Sequence, residues 1–163
     1  MARDWGLDVT AHAQPNVLGS YVPGRRIELG VSNLSTWAHE LLHAADDRLG
    51  TLDLGKRIDG ELVAELGGAV LLEALGLPDD SDRGGAFHYL SDQCAKDGRD
   101  LLSACLALVE RVHACVQLLL DTAERLTASK PSSAQVTVVP EAMSAQLGLF
   151  SPAAPTGAEA SMG

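Results

Sequence analysis

The run His39-Glu40-Leu41-Leu42-His43 carries the most specific chemistry in the chain. Residues four apart on a helix share one face, so both imidazoles can address a single ion. Neutral imidazole is a good ligand for zinc, at about 2.0–2.1 Å. Glu40, one residue after the first histidine, falls where a general base would take a proton from a metal-activated water. Zinc lowers the pKa of such a water to about 7, which makes hydroxide available for attack on an amide carbonyl. The expectation is a Zn2+ site with His39 and His43 as ligands and Glu40 as catalytic base. The bland alternative is a helix bearing two surface histidines. The amphipathic frame from Trp37 to Leu49, with Leu41 and Leu42 available for a core, argues against it.

A catalytic zinc site needs a third protein ligand and an open position. The pattern HExxHxxGxxH is excluded, because its glycine and third histidine would fall on Asp46 and Leu49. The other common solution, the gluzincin type, takes a glutamate from a following helix. Glu61 and Glu65 stand four apart, on one face of such a helix. Glu61 is the expected ligand and Glu65 the carboxylate that orients a histidine, with the reverse assignment open. Leu62, Leu66 and Val70 around them predict burial, and a buried carboxylate needs a partner such as a dication. Asp46, three residues after His43, is an alternative ligand or orienting group. Tyr21 is a candidate donor to a developing oxyanion, and His88 and Tyr89 are candidate cleft residues. His12 and His113 read as structural or solvated.

These residues need elements to hold them. Leu7 to Thr10, Asn16 to Tyr21 and Arg26 to Leu29 read as short strands, with Val22-Pro23-Gly24 as a turn, which fits a small antiparallel meander. Ser35 is a plausible N-cap for a helix from Thr36 to Leu49, stopped by Gly50. A second helix is expected from Asp59 to Leu75, with Gly76 and Pro78 as stop signals. Gly67 and Gly68 inside it cost about 1 kcal/mol each relative to Ala and so imply close backbone approach to a neighbour. Residues 79–85 read as a polar loop and Ala86 to Lys96 as a short helix. A long helix follows from Arg99 to Leu126, striped by Leu101, Cys105, Leu108, Val112, Val116 and Leu119. The expected fold is α+β: a small antiparallel sheet, then a helix pair bearing the candidate metal ligands, and a long packing helix.

Of the 163 residues, 46% are hydrophobic but only 4% aromatic, so Leu, Val and Ala must fill the core. The formal net charge is −10, from 22 acidic and 12 basic residues. Residues 127–163 are rich in Ala, Ser, Pro and Thr and read as a disordered tail. Their Lys130, Glu141 and Glu159 sum to −1, leaving −9 on the expected domain, residues 1–126. Such acidity disfavours direct binding to nucleic acid. Cys94, Cys105 and Cys115 form no CxxC and lie in apolar helical sequence, as free cysteines of a reducing compartment do. The first residues lack an apolar signal core, and no uninterrupted apolar run approaches the roughly 18 residues of a membrane span, so a cytoplasmic location is expected.

The run Ala38-His39-Glu40-Leu41-Leu42-His43-Ala44-Ala45, followed by Glu61-Leu62-Val63-Ala64-Glu65-Leu66-Gly67, resembles the zincin-like metallopeptidase domain of ArdC-type antirestriction proteins. Gly19-Ser20-Tyr21 and Arg26-Ile27-Glu28-Leu29 are similar to the family's strand hairpin. Ala86 to Leu90 and Leu101 to Arg125 are similar to its later helices. The resemblance covers roughly residues 5–126 and implies the zincin fold, the metal site and a peptidase acting on a protein or peptide substrate. The chain departs from the family at Gly60, where a second glutamate is common, and it carries no counterpart of the family's single-stranded-DNA-binding domain.

In the tail, Gln146-Leu147-Gly148-Leu149-Phe150 resembles the short peptides by which bacterial polymerases and repair proteins bind the sliding clamp. In that reading Gln146 is hydrogen-bonded while Leu147, Leu149 and Phe150 fill apolar pockets. A non-proteolytic module that docks on the clamp, or an antirestriction protein acting by protein contact, is the rival to the peptidase.

Overall fold

The computed structural model describes residues 1–12, 17–81 and 83–129, all of them within a single compact unit. The clamp-like residues Gln146, Leu147, Leu149 and Phe150 lie outside the described residues. Three short strands come first: β1 (Asp8–Ala11), β2 (Gly19–Val22) and β3 (Arg26–Leu29). The β2–β3 turn forms where Pro23-Gly24 predicts it, with Gly24 at φ +62, which its lack of a Cβ permits.

The sheet corrects the expected antiparallel meander. Its order is β1-β3-β2, with β2 antiparallel to β3 but β1 parallel to it, Val9 opposite Ile27. Parallel neighbours need a long crossover, and β2 lies in the chain between these two strands. The central strand β3 buries Ile27 completely, and β2 is left at the sheet edge.

Four helices follow: α1 (Leu34–Arg48), α2 (Arg57–Ala74), α3 (Arg83–Lys96) and α4 (Leu101–Ala128), with a 3-10 turn at Pro78–Asp80. The N-cap of α1 is Asn33 rather than Ser35; the Asn33 Oδ1 accepts the Thr36 N–H at 2.8 Å, and Ser35 donates to the same oxygen. Positive-φ glycines at 50 and 76 follow α1 and α2, as their sequence positions predict. Helix α4 starts at Asp100, whose side chain accepts the Ser103 N–H, and runs two residues past the expected end.

Helices α1, α2 and α4 and strand β3 share the main core, in which Ile27, Leu42, Ala45, Val63, Cys115 and Leu119 meet. The glycine pair of α2 faces α1: a Cβ on Gly67 would lie 2.5 Å from Leu42 Cδ1, and one on Gly68 3.5 Å from the His39 backbone nitrogen. A smaller cluster of Leu62, Leu90, Cys94 and Ala104 joins α2, α3 and α4. All three cysteines are free. By length and composition α4 is apolar enough to cross a membrane; in this fold it packs on α1, α2 and α3, burying Val112, Cys115, Val116 and Leu119.

Candidate metal centre

Helix α1 buries Leu42, Ala44 and Ala45 against the core, and its periodicity then turns His39 and His43 toward α2. Their Nε2 atoms lie 3.1 Å apart and the rings meet edge to face. From α2, Glu61 places Oε2 3.6 Å from His39 Nε2, while Glu65 places Oε1 3.2 Å from His39 Nδ1. The two glutamates therefore address opposite nitrogens of one imidazole. Glu61 joins the group in which His39, His43 and Glu61 each offer a ligand atom within 4.8 Å of the others. Two nitrogens bound tetrahedrally at about 2.0–2.1 Å sit roughly 3.3 Å apart, close to the observed spacing.

Glu40 is 4% exposed, and its Oε2 is a buried oxygen without a hydrogen-bond partner. The opposite oxygen is pressed by β2: a Cβ on Gly19 would stand 2.7 Å from Glu40 Oε1. Only a residue without a side chain lets the edge strand pass this close. Burial pushes the Glu40 carboxyl up to about 7, helped by the charges of Glu61 and Glu65 and opposed by His39. Burial also drives His43 down to about 4, with the His39 charge adding to it. At His39 burial pulls downward, but the Glu65 hydrogen bond and the surrounding carboxylates prevail and leave it raised. An orphaned carboxylate oxygen, two facing imidazoles and the Glu61 carboxylate fit a small divalent cation with nitrogen and oxygen ligands.

No family model, curated protein or solved structure matches the chain.

Two clefts meet at His39, Glu40 and Glu61. One, of about 410 Å³, is lined by Leu18, Ala64, Gly68, Ala69, Leu72 and Tyr89 among others. The second, of about 400 Å³, includes Tyr21, Leu52, Asp53, Leu54 and Arg57. Of the expected cleft residues, Tyr89 and Tyr21 are in place. His88 is not: it is exposed on α3, edge-on to Phe87. The Tyr21 hydroxyl is already engaged, donating to Asp47 Oδ2 at 2.6 Å and accepting the Gly24 N–H. Burial first, and that bond to Asp47 second, raise its pKa to about 12. Tyr21 thus pins the hairpin to α1, a role closer to positioning than to oxyanion contact.

Asp46 also takes a different part from the one expected. It is fully buried, receives both Nε and the terminal nitrogen of Arg111, and accepts from Thr51 Oγ1 at 2.6 Å. Both oxygens are committed to α4 and the loop after α1, so it acts as an anchor, its charge reaching His43 only at a distance. Val70, expected near the carboxylates in a buried stripe, is 50% exposed. Sequence reasoning missed Gly19, Arg57 and Arg111. The signal for Arg111 was a lone cation between Leu108 and Val112 of the α4 stripe.

Proposed function

We propose that this chain is a zinc-dependent metallopeptidase of the HExxH type, cleaving a peptide bond in a protein substrate inside the cell. His39, His43 and Glu61 hold the ion, Glu65 orients His39 through its Nδ1 proton, and Glu40 is the base. The observation that carries the reading is the unpartnered, buried Oε2 of Glu40 beside that ligand set. A structural site has no use for such an oxygen, and an unsatisfied buried acceptor costs about 1–3 kcal/mol. The likeness of residues 38–45 and 61–67 to ArdC-type zincin domains points the same way.

When bound, zinc supplies a Lewis acid that acidifies water and polarises a carbonyl. The chain's own groups do the rest. Glu40 takes a proton from the attacking water as its oxygen bonds to the carbonyl carbon, then returns that proton to the amide nitrogen as the C–N bond breaks. The outer edge of β2 can receive an extended substrate as an added strand, which brings its backbone across the two clefts. Tyr21, tied to Asp47 and Gly24, keeps that edge in place.

The deciding measurement is the metal content of the purified chain by elemental analysis, beside His43→Ala, Glu61→Ala and Glu65→Ala. About one zinc per chain is expected, lost in the first two variants. Glu65→Ala should retain zinc with affinity lower by about 10–100-fold. A wild-type chain that takes up no zinc when supplied would remove the peptidase reading.

A further inference from the structure

The two clefts beside the proposed ligands differ in charge and orientation, and together they fix a substrate preference. This inference rests on the peptidase reading, since it assigns the ends of a bound peptide. The first cleft has an apolar floor of Leu18, Ala64, Ala69 and Leu72. The second contains Arg57, the only Lys or Arg among the described residues lining either cleft. The Arg57 side chain is 81% exposed, and its Nε lies 3.8 Å from Glu61 Oε1, too far for a hydrogen bond. Its one ion-pair partner among the described residues is therefore the carboxylate assigned to the ion. Of the other acidic groups nearby, Asp59 is paired with Arg99, while Asp53 accepts only the neutral Gly55 N–H.

Strand β2 supplies the direction. It runs from Gly19, between the clefts, through Ser20 and Tyr21 into the second one. A peptide added antiparallel to β2, the more stable pairing, enters over the Arg57 cleft and leaves over the apolar one. Its residues N-terminal to the scissile bond then lie near Arg57, and the residue after that bond meets Leu18 and Ala69, which lie over the buried Ala64 and Leu72.

We propose that Arg57 selects an acidic side chain on the N-terminal side of the cleaved bond, while the apolar cleft takes an aliphatic residue on the C-terminal side. The acidic charge of the whole chain opposes such a substrate only weakly. At physiological salt the Debye length is about 8 Å, so the nearest charges decide.

The test uses two N-terminally labelled octapeptides, Ala-Ala-Ala-X-Leu-Ala-Ala-Ala, with X either Asp or Lys. Binding is measured by fluorescence anisotropy to the zinc-supplied full chain carrying Glu40→Gln, so that nothing is cut. The Asp peptide is expected to bind about three- to five-fold tighter. Adding Arg57→Gln should equalise the two, and Arg57→Glu should reverse the order. Equal affinities with Arg57 present, tighter binding of the Lys peptide, an unchanged order in Arg57→Glu, or no binding of either peptide at millimolar concentration would each overturn the inference. Hydrolysis by the wild-type chain is scored separately. Charge-dependent binding without cleavage would end the peptidase reading and leave Arg57 as a peptide-selecting residue.

Discussion

At Glu40 the fold holds a carboxylate under tension that an ordinary protein would relieve. The folded pKa of about 7 stands above the 4.5 of the unconstrained side chain. Between those values the folded chain keeps a proton that the unfolded chain has lost, so this group's contribution to stability falls as pH rises from 4.5 to 7. His43 works in the opposite sense: its folded value of about 4 lies below 6.5, and its contribution falls as pH drops through that interval. Metal-stripped wild type and Glu40→Gln share the His43 effect, so their difference isolates the glutamate. We expect the two to unfold alike below pH 4.5, and the glutamine variant to be more stable by on the order of 3 kcal/mol above pH 7. Urea titrations of the stripped proteins across that range check this; a variant that is less stable at pH 8 would contradict it. The same substitution should abolish hydrolysis while leaving zinc bound, which elemental analysis beside a peptide assay would read.

Among elements, the α1–α2 contact is where the helical propensity of the sequence and the packing pull apart. Gly67→Ala would improve helix propensity by about 1 kcal/mol. Its Cβ, however, would stand 2.5 Å from Leu42 Cδ1 and 2.8 Å from Cγ, on a side chain that is fully buried. We expect a net loss of about 1–3 kcal/mol from overpacking. Gly68→Ala meets nothing closer than 3.5 Å and should be neutral or stabilising. Thermal melts of the two variants, with opposite signs expected, test the difference. Gly19→Ala belongs to the same class, since its Cβ would press on Glu40 and lower activity with zinc retained.

Helices α1, α2 and α4 were legible because apolar residues recur at three and four and because glycines and prolines mark their ends, whereas α3 begins at Arg83, inside the stretch that reads as a polar loop. The pairing of His39 and His43 with Glu61 and Glu65 was legible from spacing alone. Other features were not. Alternation identifies β1 as a strand but does not say whether β3 lies parallel to it. Asn33 and Ser35 are both good caps, and only the reach of Asn33 Oδ1 to the Thr36 N–H separates them. Val70 shares four-residue steps with Leu62 and Leu66, yet a helix of 3.6 residues per turn rotates it about 80° from the first. That drift carries it to the surface.

Across the whole molecule, the buried Asp46–Arg111 pair joins the end of α1 to the middle of α4. Its partners are 65 residues apart in sequence, so no local pattern announces it. Removing the cation leaves a carboxylate with 0% exposure and only Thr51 and the Cys115 thiol for company. Arg111→Met is expected to cost about 3–5 kcal/mol. Asp46→Asn combined with Arg111→Met should recover much of that. A double-mutant cycle by chemical denaturation measures both, and equal losses from the single and double variants would contradict the pairing.

The glycine seam between α1 and α2 has a kinetic corollary. The distance between these helices is set by Leu42 over Gly67 and by the His39 backbone over Gly68. The same seam brings the two imidazoles and Glu61 together, their ligand atoms all within 4.8 Å of one another. If the proposed site takes zinc, loading it would require no change in the spacing of the two helices. Occupancy would then follow the free zinc level, and supply of the ion itself would turn the proposed peptidase on and off.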